Sequence, residues 1–445
     1  MSKLHSICLV LSVLCSMSSC GTTQAYEEPH SAESVRADLD ELVRVVTSIH
    51  PDHEYTTDLQ QLNSTVADIR KRVRRRMTTR QAWFLLAELN PVFRDAHTGL
   101  QYPTAEFDSY RQGGGAIFPL PVYVDDEGIL RFAAGSNYPP QVRPHDEIVS
   151  INGTSSQRIL SHAMPRMRGE TETVRRLVFE YNFAAYLWSL YGSQESHVVV
   201  KRDLSGRSQE VVLPQSSESP RSLRDLNAFH YEQVRTDVGY MEIRSFDHAL
   251  KQDFDRFLTR TFAAIRASGV RKLIIDIRRN PGGAHELSDA LLGYLSDKPL
   301  RGASSLIARV HESNRDIAPE ASVGDVVTVP FEEWLAPLDR EYRFDGETYL
   351  LIGRRTYSQA IVFATTFQDF NLGTVAGVAT DGWANQTGQV QMTRLTNTGL
   401  FAAAPLYIII RPSGDKTRGG VRPDIPIEDD SQNPRRMVEV LLKSL

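Results

Sequence analysis

From Val238 onward the chain alternates short apolar runs with amphipathic stretches, and this pattern constrains the fold more than any other feature. GYMEIRSF, KLIIDI, TYLLIG and GTVAGV read as strands. DFDRFLTRTFAAIRASG, HELSDALLGYLSD and SQAIVFATTFQDF, lying between them, read as helices, the first closed by Gly269. Repetition of this kind predicts a mostly parallel sheet covered by helices. In such a sheet, sites lie at the C-terminal ends of the strands, where loops present backbone to a ligand. KLIIDIRRNPGG therefore stands out, because its apolar run ends in a proline and two adjacent glycines where one turn residue would do.

Gly282 and Gly283 fall at such a strand end, just before a helix. Glycine there permits positive φ and close backbone approach, and the N–H groups, with the helix N-terminus behind them, would form a nest for a negative oxygen. An oxyanion hole fits that description, and so does an ordinary tight turn. Ser358 follows a second buried strand and heads a helix. That position suits an N-cap; it also suits a nucleophile, with the Gln359 N–H beside it for oxyanion binding. No G-x-S-x-G occurs, so this is no ordinary α/β-hydrolase elbow. His97, two residues after Asp95 in FRDAHTGL, is the histidine in a polar, turn-bounded setting with a neighbouring acid. It is the candidate general base, against the commoner alternative of a surface histidine.

The rest of the chain differs in character. Residues 31 to about 95 read as helices, with Val35, Leu39, Leu42, Val45 and Val46 on one face of the first and Thr78 or Thr79 capping the third. The basic run Arg70 to Arg76 reads as a solvated helix end, with contact to anionic lipid as the alternative. Between about 113 and 215, strands surround a small helix, with turns at Asp126 to Gly128 and Asn152-Gly153. At 445 residues the chain has room for two or three domains. A formal net charge of −5 argues against a dedicated nucleic-acid binder. All three cysteines (Cys8, Cys15 and Cys20) lie in the first twenty residues, leaving no disulfide or thiolate metal site in the body. The apolar run ICLVLSVLC is too short to span a bilayer. No H-x-x-x-H or C-x-x-C occurs, so neither a metal nor another cofactor is expected.

Several segments resemble known families. MSSCG, residues 17 to 21, resembles a bacterial lipoprotein signal with Cys20 as the lipidated residue; an ordinary secretory signal cut near Ala25 is the alternative. Both imply an exported protein, and the first a membrane-tethered one. HDEIVSINGTS resembles the "GDxIxxINGxxV" of PDZ domains, implying a module that adds an extended peptide to a sheet edge; a spacer is the alternative. Asp276, Arg278, Asn280, Gly282 and Gly283 match "DxRxNxGG". Asp95, His97 and Thr98 match "D-x-H-T", Thr356, Tyr357 and Ser358 match "T-[FY]-S", and GGVRPDIPI matches the terminus "GVxPDI". Together these resemble the tail-specific (C-terminal-processing) serine peptidase family.

That resemblance implies a multidomain α/β protein. Its parts would be a signal (1–20), a helical cap carrying His97 (21–112), a PDZ-like module (113–215) and a catalytic domain of crotonase/Clp-like type with a mostly parallel sheet (216–445). It implies polypeptide substrates, Ser358 as nucleophile, and an oxyanion hole from Gly282, Gly283 and Gln359. The lysine subclass is excluded in its usual form, since no lysine occurs between Ser358 and Lys416 and the expected position holds Trp383. The histidine subclass is left, with His97 as base. Val378 and Thr417 stand where that subclass carries a supporting acid, so Asp95, Asp381 and Asp415 are the candidate orienting acids. A catalytically silent peptide-binding lipoprotein of the same fold is the alternative to a peptidase.

Overall fold

The computed structural model describes residues 29–133, 138–217, 228–429, 433 and 435–445. The expected signal 1–20, with Cys20, lies outside the described residues. No described helix is long and apolar enough to cross a membrane.

The N-terminal segment folds as α1 (Ala32–Ile49), α2 (Leu59–Arg72), α3 (Thr79–Leu86) and the short α4 (Asn90–Phe93). Ser31 caps α1, and Thr78 and Gln81 close a reciprocal capping box on α3, which decides between the two expected threonines. The apolar face of α1 is fully withdrawn from water. In the basic run, Arg70 pairs with Asp40, Arg72 with Asp68 and Glu88, and Arg76 with the Pro29 carbonyl. These cations are engaged within the protein, as a solvated helix end would be. A left-handed Arg94 (φ 49°) ends α4 and turns the chain into Asp95, His97 and β1 (Gly99–Leu100).

After α5 (Ala105–Gln112) comes an antiparallel sheet of β2 (Val122–Val124), β3 (Leu130–Phe132), β4 (Glu147–Ile151), β6 (Ser196–Arg202) and β7 (Ser208–Pro214), in that order. β5 (Thr154–Ser155) pairs with β4, and α6 (Ser156–Ala163) and α7 (Glu172–Tyr191) complete the unit. The outer edge of β2 is already engaged. The Val124 N–H donates to Glu180 of α7 at 2.7 Å, its carbonyl accepts from Arg355 at 2.8 Å, and Arg355 also bonds Glu180. A peptide adding to this edge at Val124 would have to displace both side chains.

The expected parallel sheet forms from β8 (Phe229–Arg235), β9 (Val238–Ile243), β10 (Lys272–Asp276), β13 (Glu347–Ile352), β14 (Thr374–Gly377) and β17 (Ile425–Pro426). Its order is β17-β14-β13-β10-β9-β8, antiparallel only between β8 and β9. Period-two alternation sorts β10: Leu273 and Ile275 join one core with α8 (Lys251–Ser268), α9 (His285–Leu295) and α10 (Gln359–Asp369). Ile274 faces the opposite core, under α11 (Arg435–Ser444).

The expectation of a mostly parallel catalytic region needs correction. β11 (Ser305–Arg309), β12 (Val326–Pro330), β15 (Gln386–Arg394) and β16 (Phe401–Ile410) build a separate antiparallel sheet, and the protein's sheets taken together are mostly antiparallel. The cause is local: β15 and β16 are joined by a short turn, which forces antiparallel pairing. This sheet also recruits β1 from the N-terminal segment, which lies at its edge against β16.

Asp38 on α1 fastens that segment down. Buried, it accepts from the backbone N–H groups of Asn397 and Thr398 and from both their side chains, in the β15–β16 turn. Replacing it by alanine strands these donors, at a cost of about 3 kcal/mol. Urea unfolding should show Asp38→Ala clearly less stable than Asp38→Asn, which keeps one acceptor; equal midpoints for wild type and Asp38→Ala would refute the role.

Candidate active site

The carboxyl end of β10 explains its own spelling. Asp276 is buried, accepts the Tyr240 hydroxyl at 2.9 Å and pairs with Arg278 at 2.6 Å. Burial alone would push its carboxyl up; the Arg278 guanidinium outweighs this and holds it below the usual range. Asn280 is fully buried. Its Oδ1 accepts the Gly282 N–H at 2.8 Å and its carbonyl accepts the Tyr357 N–H at 3.0 Å. The Thr356 hydroxyl donates to the Ile277 carbonyl at 2.9 Å. The turn after β10 and the turn after β13 are thus laced together.

That lacing is why the glycines are there. A Cβ on Gly282 would lie 2.7 Å from both the Gln359 nitrogen and the Ser358 Cβ; on Gly283 it would lie 2.1 Å from the Phe246 carbonyl oxygen. Both residues also have positive φ, 97° and 141°. The backbone of one turn is pressed directly against the nucleophile turn of the other.

Ser358 has φ 50° and ψ −125°, a conformation non-glycine residues rarely hold, and its side chain makes no capping bond to α10. The N-cap alternative therefore does not account for it. Its Oγ lies 3.4 Å from His97 Nε2. Gln386, from β15, donates through Nε2 to the Ser358 carbonyl at 2.8 Å and steadies the turn. Of the three expected oxyanion donors, the Gly282 N–H is already given to Asn280, which corrects that expectation. Gly283 and Gln359 carry backbone N–H groups with no acceptor among the described residues, Gln359 as an unpaired donor of the first helical turn. Beside Gly283 opens a cleft of about 520 Å³, lined in part by Tyr181, Ser245, His248 and Pro281.

His97 is held by what lies behind it. Its backbone N–H donates to Asp95 Oδ1 at 2.9 Å, and its Nδ1 lies 3.1 Å from Thr387 Oγ1. Thr387 Oγ1 is in turn 2.9 Å from Asp95 Oδ1, while Nδ1 itself is 3.5 Å from that oxygen. A hydroxyl has one proton, and an ionised carboxylate can only accept. Thr387 must therefore donate to Asp95, and so accepts from the imidazole. That places the ring proton on Nδ1 and leaves the Nε2 lone pair facing Ser358. Burial alone would push the Asp95 carboxyl up. The imidazoles of His50 and His97 outweigh it and hold the group well below the usual carboxylate range. On its other side, the His97 ring stacks on Tyr357, with centroids 5.5 Å apart and planes 18° apart.

Of the three acids weighed from the sequence, only Asp95 stands at the imidazole. Asp381 lies by Thr171 and the Arg354 carbonyl. Asp415 is exposed and bonds Thr417. Trp383 packs edge-on against Tyr55 at 5.1 Å, with the Arg418 guanidinium over both rings. Thr387 was invisible to sequence reasoning: it sits in a polar strand 290 residues from His97 and belongs to no motif.

A serine at positive φ between strand and helix, an imidazole with a fixed tautomer and two backbone N–H groups without acceptors among the described residues are the parts that a serine-hydrolase type of site requires. Residues 237–427 match the model of peptidase family S41. The carboxy-terminal processing protease CtpB of Bacillus subtilis (strain 168) is 26% identical over 225 residues, 48% of this chain and 39% of that protein. The Probable CtpA-like serine protease of Staphylococcus aureus (strain COL) is 22% identical over 289 residues, 64% of this chain and 47% of that protein. The chain thus spans less than half the length of these curated relatives. Among solved structures, mature CPAF complexed with lactacystin shares the fold. Its TM-score is 0.65 at 17% identity, over 93% of this chain and 97% of that one.

The hydrogen-bond logic at Thr387 makes a direct prediction. Nitrogen-15 shifts of His97 should show Nδ1 protonated and Nε2 bare at a pH where the ring is neutral. Thr387→Val should mix the tautomers, whereas Thr387→Ser should not. A wild-type ring protonated mainly on Nε2 would overturn the assignment.

Proposed function

We propose that the protein is a serine peptidase that cleaves unstructured or C-terminal segments of exported polypeptides, with Ser358 as nucleophile and His97 as base. The observation that carries this is the 3.4 Å approach of His97 Nε2 to the oxygen of a serine held at positive φ. The match of residues 237–427, which include Ser358, to the peptidase family model supports it.

In this reading the Ser358 hydroxyl attacks the scissile carbonyl while its proton passes to His97 Nε2. The carbonyl oxygen becomes an oxyanion and takes the Gly283 and Gln359 N–H groups, which need no reorganisation because nothing else holds them. The imidazolium passes its proton to the leaving amine as the C–N bond breaks, leaving an acyl-enzyme. Water, losing a proton to the same nitrogen, then hydrolyses the ester. Throughout, the Nδ1–H bonds Thr387, and Asp95 lends its charge through that hydroxyl. The lysine mechanism has no counterpart, because an aromatic cluster with Arg418 fills the space around Trp383.

The same reading includes export and a lipid tether at Cys20, supported by the sequence MSSCG. One lipid-bearing residue would hold the catalytic body at a membrane surface. A peptide-gathering role for residues 113–215 by addition to β2 requires Glu180 and Arg355 to release Val124, so we assign no peptide addition at that edge.

Two experiments test the reading. Ser358→Ala and His97→Ala should each remove nearly all peptide hydrolysis and labelling by a fluorophosphonate. The double variant should be little worse than either, since the pair acts as a unit, and Trp383→Lys should not rescue His97→Ala. Hydrolysis equal in wild type and Ser358→Ala would promote the silent peptide-binding lipoprotein instead. For the tether, Cys20→Ala should shift the protein from the membrane to the soluble fraction and abolish metabolic labelling with palmitate; unchanged partition would end the lipoprotein reading.

A further inference from the structure

Glu170 enters the site from outside every motif in the sequence. It follows Gly169, whose φ of 144° leaves no room for a Cβ against the Arg175 nitrogen at 2.9 Å, and it precedes Thr171, the cap of α7. A residue pinned between a crowded glycine and a helix cap has little freedom, so its carboxylate is delivered to a fixed place. That place is the Tyr357 hydroxyl, 2.9 Å from one carboxylate oxygen and 3.2 Å from the other. Tyr357 is buried, stands next to Ser358 in the chain, and is the ring on which His97 stacks. A ring anchored at its backbone by Asn280 and at its hydroxyl by Glu170 cannot tilt, and the imidazole lying against it inherits that orientation.

We propose that Glu170 is a positioning residue for the catalytic pair, holding Tyr357 as a fixed wall that keeps His97 Nε2 aimed at Ser358. The inference rests on the serine-peptidase reading and adds to it an acid that acts through a ring rather than through the imidazole nitrogen. It explains a burial that is otherwise costly. An acid turned into the protein with a phenol as its main side-chain partner must either stay protonated or bear the cost of a buried charge, and both are unfavourable unless the contact serves the site.

The groups facing Glu170 are few. Tyr357 approaches from the nucleophile turn, Asp95 acts from the loop before His97, and Arg168 lies on its own segment near both. Burial first, and repulsion from Asp95 second, push its carboxyl up to about 8, against the pull of the Tyr357 hydroxyl. Glu170 is therefore neutral below about pH 8 and becomes a carboxylate above it. The carboxylate is the stronger acceptor for Tyr357 and adds a negative charge that favours an imidazolium. The rate should accordingly step upward as pH rises through this range.

The test compares Tyr357→Phe, which keeps the stacked ring and removes only the tether, with Glu170→Ala and their combination. Each single variant should lower kcat and the rate of fluorophosphonate labelling about tenfold, with KM held to within about twofold. The double variant should be no worse than either single one, because both break one bond. Glu170→Gln, which retains an acceptor, should recover most of the rate near neutrality yet lose the alkaline step. Rates within about twofold of wild type for Tyr357→Phe, additive losses in the double variant, or a change confined to KM would each overturn the inference. Labelling of Ser358 does not depend on any peptide substrate. A wild type that labels but cleaves no peptide would therefore count against the peptidase reading, while the tether would still be judged from its own variants.

Discussion

The close approach of two backbone turns governs this site. Gly282 touches Ser358 and Gln359 at distances that exclude any Cβ, and the contact is sealed by the Asn280 carbonyl on the Tyr357 N–H and the Thr356 hydroxyl on the Ile277 carbonyl. Ser358 is held in a conformation that costs about 1–3 kcal/mol where it occurs in non-glycine residues. The surroundings over-determine it: its carbonyl accepts from Gln386 and from the Ile361 N–H at 2.7 Å. Strain at Ser358 and the absence of side chains at the glycines are two aspects of one arrangement.

Strand β16 sets the second half of the site. On one side it pairs with β1, Gly99 opposite Ala403, which fixes the chain two residues beyond His97. On the other it pairs with β15, Thr387 opposite Ile408, which places the hydroxyl that accepts from the His97 Nδ1–H. Histidine and threonine are thus gauged against the same strand from opposite edges. Asp95 closes the arrangement from below, accepting from Thr98, Thr387 and the His97 backbone beside the two imidazoles that favour its charge.

Much of this was legible because local rules carry it. The apolar runs and the Thr78 cap gave strands and helices near their observed limits, and the strand-glycine-helix and strand-serine-helix turns each advertised a strand end with unusual backbone. Where the sequence reading fell short, the missing information was pairing. β15 is a polar strand whose partner determines its role, so nothing in QTGQVQMTR announced either the antiparallel sheet or Thr387. Glu170 belongs to no sequence motif, and its contact with Tyr357 spans 187 residues. The oxyanion assignment erred at Gly282 for a similar reason. Composition reveals a glycine, but whether its N–H is already committed depends on the asparagine two residues earlier, whose side chain folds back onto it.

The distance along the chain between His97 and Ser358 has a consequence for biosynthesis. His97 and Ser358 are 261 residues apart, and Thr387, which the His97 ring meets, lies further on still. Contacts of such long range form late in folding, because the entropy of closing the loop is lost before any contact compensates it. A chain emerging from a ribosome or a translocon would carry its histidine early and its serine much later. It could not align them until β16 had been made and had gathered β1 and β15 on either side. The alignment of His97 with Ser358 is therefore a product of completed folding, and a partly made chain holds the two side chains apart.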